Sequence, residues 1–459
     1  MSTPAPPDAP APPSAGLAEH FDPAESPQTY WHATGGPTPV AVDRLDGDAD
    51  CEVAIVGGGI AGLSAALHLA RDYGIAVRVL EAGAIGWGAS GRSGGFCTPG
   101  GIRHGWRRLA RRFGIEEARR WFAAQKTAVE LVADIARRHR IDLRRAGEGE
   151  YLVAHRPGRM AGLEREAAFL REHFGERCDL LRRAELEERG IALEEAHGAL
   201  YLPCGFGLHP LRYVRGLARA ATEYGARIHE RSPAVAWRLE NGFHRLLTPG
   251  GSVWTRRVLV ATDGYAPEML RPELRGQVLP ALSSILVTRP LTPSERDAQG
   301  WREPALVADT RRLLFYMRLL GDGRLLFGAR GGLTATPAAF RERRRWLDSC
   351  LRQRFPAWRH VAVEHAWWGL VALSRDGLPH LAPVPGLPRT WRIGPYNGSG
   401  IAMATLLGRL AAATLAGAKP PEPLPRALAR PLPRIPFPSL RRLYLAAAYL
   451  GFHIADEWL

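Results

Sequence analysis

The stretch CEVAIVGGGIAGLSAALHLARDYGIAVRVLEAG, beginning at Cys51, constrains the fold more than any other part of the chain. Val53 to Val56 form a short apolar run, as in a parallel strand buried on both faces. Gly57-x-Gly59-x-x-Gly62 follows at once, and apolar residues then recur at helical spacing as far as Gly74. A second apolar strand stops on Glu81. Strand, glycine turn, helix and strand make a dinucleotide-binding unit in which each glycine has a physical task. Gly57 permits the tight turn, Gly59 lets backbone approach a pyrophosphate, and Gly62 lets helix pack on strand. The helix begins at Ile60 and Ala61, where free N–H groups and the macrodipole favour phosphate. Glu81, nineteen residues past Gly62 and followed by Ala82, is placed to accept hydrogen bonds from ribose hydroxyls. An acid there disfavours a 2′-phosphate and hence NADP. FAD and NAD both remain open.

Four residues beyond Glu81 the chain enters IGWGASGRSGGFCTPGG, with seven glycines in residues 85–101. Glycine loses the most conformational freedom on folding, so this density asks for a local reason. A bend between elements is one reading, and a loop that brings backbone close to a ligand is the other. The position, just past the strand end where a ribose would sit, favours the second.

Composition narrows the remaining classes. At 459 residues the chain is long enough for two or three domains. No apolar run reaches the roughly 18 residues of a membrane span, and the N-terminus does not read as a signal peptide. The opening MSTPAPPDAPAPPSAG has little to bury and is expected to be disordered. Five scattered cysteines, none in a CxxC pair, argue against a disulfide framework or a zinc site, and a cytoplasmic location is expected. The formal charge of +15 is almost all arginine, with Lys126 and Lys419 the only lysines. Much of it alternates with apolar positions at helical spacing, which reads as solvated helix faces rather than a nucleic-acid surface. No nucleic-acid-binding motif accompanies it.

Three later segments extend the pattern. GFGLHPLRYVRGLARAATEYGARIHERSPAVAW reads as a helix and a strand, with Gly225 at the helix C-cap. RRVLVATDGYAP is a strand running into a turn at Thr262, Asp263 and Gly264. WRIGPYNGSGIAMATLLGRLAAATLAG is a strand, a glycine turn at Asn397, Gly398 and Gly400, and a long apolar helix from Gly400 and Ile401. If a flavin lies at that second helix N-terminus, the dipole would stabilise negative charge on its reduced ring.

With these pieces in order, the chain resembles the FAD-dependent D-amino-acid oxidase, glycine oxidase and sarcosine oxidase superfamily. Within it, the gamma-glutamylputrescine oxidoreductase branch is most similar. The matching pieces are QTYWHATGG, the fingerprint, IGWGASGRSGG, LHPLRYVRGLARAA, VLVATDGY, YMRLLGDGRLLFGARGG, WWGLVALSRDGLPHLAPV and YNGSGIAMATLLG. The resemblance implies an α/β chain with a Rossmann-type FAD-binding domain and a discontinuous, mostly antiparallel-sheet substrate domain of α+β type. It places 48–143, 206–272 and 366–418 in the FAD-binding domain, and 144–205 with 273–365 in the substrate domain. Residues 1–47 form an N-terminal extension, and 419–459 a tail with an amphipathic helix. The family's loop beneath the pyrophosphate would correspond to Gly88, Ala89, Ser90, Arg92, Ser93, Gly94 and Gly95. The serines and Arg92 would supply donors, and the glycines close backbone approach. Val235, Trp368 and Gly369 complete the implied cofactor contacts, with FAD held non-covalently.

In such enzymes a C–H bond beside an amine nitrogen gives a hydride to the flavin, and water hydrolyses the resulting imine. Oxygen or another acceptor then reoxidises the cofactor. The cofactor carries the difficult chemistry, so no nucleophile or metal is required. The substrate is expected to be a small amine, gamma-glutamylputrescine or a related amine, or alternatively glycine or a D-amino acid. A flavin-carrying subunit of an electron-transfer complex is a further alternative. FYMR offers Tyr316 and Arg318, and Arg318 or nearby Arg330 could pair bidentately with a substrate carboxylate. His209 is a candidate catalytic residue whose alternative is to order a turn. Trp367 and Trp368 wall the flavin or fill core. Some relatives activate oxygen through a lysine near the flavin, whereas this chain has none between Lys126 and Lys419.

Overall fold

The computed structural model describes residues 17–38, 40, 42–99, 105–265, 268, 270–422 and 425–457. The Pro/Ala stretch expected to be disordered lies outside these residues. The described chain builds two sheets. The first runs Leu381–Pro383, Thr390–Ile393, Gly251–Val260, Ala49–Val56, Val77–Leu80, Arg227–His229, with the hairpin Ala236–Glu240 and Phe243–Thr248 joined to Gly251–Val260. Its centre is parallel: Val53 to Val56 pair with Val77 to Leu80 on one side and with Arg257 to Val260 on the other. Val53, Ala54 and Ile55 are wholly buried, as a strand covered on both faces requires.

Three helices cover one face of this sheet. The fingerprint helix Ile60–Tyr73 is buried from Ile60 through Leu69 and ends at Gly74 in the left-handed region, φ 62°. Helices Gly400–Ala416 and Pro210–Glu223 pack on it. One polar cluster joins the three: Ser64 donates to the Thr405 carbonyl at 2.7 Å, and Tyr213 Oη meets Thr405 Oγ1 at 2.9 Å. The two fingerprint-side helices approach so closely that a Cβ on Gly408 would lie 2.6 Å from the Ala61 carbonyl.

The second sheet runs Val363–Leu373, Leu279–Pro290, Arg324–Arg330, Phe315–Leu319, Val307–Asp309, Ala146–Val153, Gly198–Gly207, Phe96–Cys97, with Asp179–Arg182 beside Gly198–Gly207. Every pairing is antiparallel except that of Val307–Asp309 with Ala146–Val153. A Rossmann-type sheet plus a mostly antiparallel one is the architecture expected from the sequence.

One expected boundary cuts through an element. Val363–Leu373 pairs along its length with Leu279–Pro290 in the second sheet, so residue 366 is not where the chain returns to the first. That return comes at Leu381–Pro383. Phe96–Cys97 also belongs to the second sheet, paired with Phe206 and Gly207. The glycine-rich loop therefore leads from one sheet to the other. The tail helix Arg441–Glu457 is tied down at both ends. Arg441 pairs with Glu268 at 2.6 Å, while the Asp456 carboxylate accepts N–H bonds from Arg312 and Leu313. Among the described residues, no helix is long and apolar enough to cross a membrane.

Candidate active site

Between the sheets lies a cavity of about 380 Å³, walled by the fingerprint, the glycine loop and the N-terminus of Gly400–Ala416 on one side. Strands of the second sheet supply the other side through Glu150, Ser283, Ile285, Ala308, Tyr316 and Arg330.

The fingerprint geometry follows its physical tasks. Gly57 sits at φ +110°, and a Cβ there would lie 2.6 Å from the Ala261 carbonyl. Gly62 does not line the cavity, because its task is packing: a Cβ would collide with the Gly57 carbonyl. A Cβ on Gly59 would meet Ser90 Oγ at 2.9 Å, and that hydroxyl accepts the Ile60 N–H at 3.0 Å. Glu81 accepts N–H bonds from Gly58 at 2.7 Å and Gly83 at 2.9 Å. Burial raises its carboxyl above the usual value, and those two bonds pull it back towards the charged form. Ala82, Gly88, Ala89 and Ser90 also line the cavity.

Arg92, Ser93 and Gly94 continue the lining. The Arg92 guanidinium is also held by protein, donating to the Trp87 carbonyl at 2.7 Å and the Trp368 carbonyl at 3.3 Å. Gly95 lies behind the wall at φ +74°, its carbonyl accepting the Leu208 N–H at 2.8 Å. Thr262, Asp263, Gly369, Gly398, Gly400 and Ile401 reach the cavity. Burial raises the Asp263 carboxyl to about 6, against the pull of the Arg392 guanidinium.

Several sequence-predicted contacts are displaced. Arg318 is 1 % exposed and absent from the lining; Nε donates to the Gly94 carbonyl at 3.0 Å and Nη2 to the Leu208 carbonyl at 2.6 Å. It clamps the loop and is not aimed at a substrate. His209 is also outside the cavity. Its Nδ1 accepts the Arg212 N–H at 3.3 Å as the cap of Pro210–Glu223, and its Nε2 meets Thr34 Oγ1 at 3.1 Å. Burial and three nearby arginines lower this imidazole to about 3, so it is neutral in the fold. Val235 is 57 % exposed, and its neighbours Pro233 and Ala234 are the residues that line the cavity. Gly264 backs onto Leu370, and Tyr265 beside it takes the lining position. The Asn397 side chain turns to Ser374, accepting its N–H at 3.0 Å. Trp368 gives only its carbonyl, to Arg92, while its ring packs on Phe340 and Phe21. Trp367 is core, and its indole N–H donates to the Arg92 carbonyl at 2.8 Å.

Of the candidate substrate contacts, Tyr316 and Arg330 do face the cavity. Tyr316 Oη meets Ser283 Oγ at 2.9 Å, and burial raises the phenol to about 12. Arg330 donates to the Asn397 carbonyl at 3.3 Å beside the second helix N-terminus. Sequence reasoning missed Glu150 and Thr98, which line the far side. The available signal was GEGEY, two glycines alternating with acids inside a strand.

Four lining residues carry buried polar atoms without a partner: Ser93 Oγ, Thr262 Oγ1, Asp263 Oδ1 and Tyr396 Oη. Unpaired buried polar atoms are costly, so the site is shaped for a ligand with many hydrogen-bonding groups. With two helix N-termini and a backbone cradle at Gly57 to Ala61, this donor and acceptor set fits FAD.

The comparisons agree. A gamma-glutamylputrescine oxidoreductase from Escherichia coli is 30% identical over 410 residues, covering 89% of this chain and 93% of that protein. A probable oxidoreductase from Rhizobium meliloti is 32% identical over 394 residues, covering 84% and 87%. The crystal structure of glycine oxidase from Geobacillus kaustophilus superposes with a TM-score of 0.68 at 23% identity, covering 84% of this chain and 99% of that one. Residues 52–414 match the DAO family model, described as FAD dependent oxidoreductase. The chain belongs to this family of FAD-dependent oxidoreductases.

Proposed function

We propose that the chain oxidises the C–N bond of a small amine, gamma-glutamylputrescine or a related compound, with FAD held non-covalently in the cavity between the sheets. The observation that carries this reading is one cavity with two unlike walls. Backbone and small residues suited to a dinucleotide face Tyr316, Ser283, Arg330 and Glu150, a set suited to a polar substrate.

In the proposed arrangement the Gly59 and Ala61 N–H groups, with the Ser90 hydroxyl that caps the Ile60 N–H, hold the pyrophosphate, and Glu81 holds the ribose. Ser93, Thr262, Asp263 and Tyr396 offer their unpaired atoms to the rest of FAD. Bound FAD supplies the acceptor for a hydride from the carbon beside the amine nitrogen. The protein's part is to position that carbon, exclude bulk water and bind the substrate's polar ends. Tyr316 Oη and Ser283 Oγ, already paired, form a fixed polar edge in the second sheet. We assign the enzyme to the cytoplasm on its five free cysteines.

A second reading, an oxidase or dehydrogenase of glycine or D-amino acids, draws support from Arg330, whose guanidinium fits a carboxylate. Anaerobic mixing with a panel of amines and amino acids separates the two. Bleaching of the flavin by gamma-glutamylputrescine and not by glycine or D-amino acids supports the first reading, and the reverse pattern overturns it. Admitting air then identifies the acceptor: return of the yellow colour means oxygen, and its failure to return means another acceptor.

A further inference from the structure

Glu150 is a carboxylate in the cavity wall for which the described fold provides no cation. The other carboxylates on the lining have backbone donors or a guanidinium close by. Glu81 takes two backbone N–H groups, and Asp263 lies near Arg392. Beside Glu150 lies the Thr98 hydroxyl, and among the described residues no charged group contributes to its environment. Burial raises its carboxyl to about 7, against the pull of the Thr98 hydroxyl.

The backbone beneath it is bent in a way that aims this side chain. In a regular strand, residues 148 and 150 would share a face. Here the pairing with Gly198–Gly207 shifts register between Ala146 and Glu148 and again between Glu148 and Glu150. Gly147 and Gly149 sit at φ +81° and +68°, where side chains are disfavoured. A Cβ on Gly149 would also lie 2.7 Å from the Leu202 carbonyl. The result separates the two acids. Glu148 is exposed and pairs with Arg145 at 2.8 Å, whereas Glu150 faces the cavity. Bulges of this kind commonly re-aim a side chain beside a functional site.

We propose that Glu150 is the ammonium-recognition residue of the substrate cavity, supplying the counter-charge for a primary or secondary amine. This rests on the reading that the cavity takes an amine, and it names the group that selects one. A buried carboxylate without a cation disfavours its own charged form. An alkylammonium entering beside it provides that cation and two or three N–H donors, and it gives one proton to solvent before the neighbouring carbon can give up a hydride. A neutral ligand of the same shape provides neither, so the site discriminates by charge.

The test uses the FAD-loaded enzyme and tert-butylamine, which has no C–H bond beside nitrogen and cannot be oxidised. Calorimetric titration should show the wild type binding tert-butylamine more tightly than neutral tert-butanol. Glu150→Gln should lose that preference, weakening amine binding about tenfold or more, as expected for a charged hydrogen bond. With an oxidisable amine identified by flavin bleaching, Glu150→Gln should raise KM by a similar factor and leave kcat nearly unchanged. Glu150→Asp keeps the charge and should retain part of the preference, and Glu148→Gln, outside the cavity, should retain all of it. Equal binding of tert-butylamine by Glu150→Gln and wild type overturns the proposal. So does loss of FAD from Glu150→Gln, which would assign the carboxylate to the cofactor instead. A wild type bleached by no amine counts against the proposed function, while the tert-butylamine titration still judges Glu150.

Discussion

Arg92 shows how one side chain can line the cavity and at the same time bind the protein behind it. The sequence places it among cofactor donors, with Arg92→Ala expected to weaken FAD retention more than fold stability. In the fold its guanidinium bonds two protein carbonyls and lies over the Phe21 and Trp87 rings. Arg92→Ala should therefore destabilise the apoprotein itself, by about 1.5–3 kcal/mol for charged hydrogen bonds, as a lower melting temperature without FAD would show. Glu81 lines the cavity at the end of its strand. Glu81→Ala should raise the FAD dissociation constant about 10- to 100-fold, measured by titrating apoprotein with FAD and following flavin fluorescence. His209 makes a pH prediction. Its imidazole is neutral in the fold down to about 3, whereas the unfolded chain takes up the proton near 6.5. The unfolded state thus binds more protons in that window, so this histidine's contribution is lost as pH falls. By pH 5 the loss amounts to about 2 kcal/mol, and His209→Asn, still able to cap the helix, should melt with a shallower decline between pH 7 and 5.

Elements were more legible than their partners. The fingerprint strand, turn and helix could be read because the three glycines have local tasks that no other residue performs. Gly408 had no such local signature, yet it sets how closely the two long helices approach. Gly408→Val would push Gly400–Ala416 away from Ala61 and Ser64, costing about 1–3 kcal/mol as overpacking. Because both helix N-termini face the cavity, the variant should also bind FAD more weakly; thermal melts with and without FAD would separate the two effects. Val363–Leu373 illustrates the opposite difficulty. Its residues sit next in sequence to the first sheet's return, and nothing local shows that the strand pairs with Leu279–Pro290. The bulge around Glu150 was hidden for a similar reason, since a register shift is a property of two strands and not of one.

Across the whole molecule, the α/β architecture and its antiparallel second sheet could be read from the order of motifs. How the tail helix closes the structure could not. Arg441–Glu457 buries Leu445, pairs with Glu268 and caps the turn at Arg312 and Leu313 through Asp456. Removing residues 437–459 should therefore lower the melting temperature of the FAD-loaded enzyme and speed proteolysis near residues 310–314, both readable by limited digestion and a melt. The same molecule shows a division between its two walls. The dinucleotide side works largely through backbone N–H groups and tight glycine turns, which tolerate almost no exchange. The opposite side works through Glu150, Ser283, Leu314, Tyr316 and Arg330, side chains of the second sheet and its loops. Substrate preference can therefore drift over evolutionary time, one side chain at a time, while the inherited cofactor wall stays unchanged.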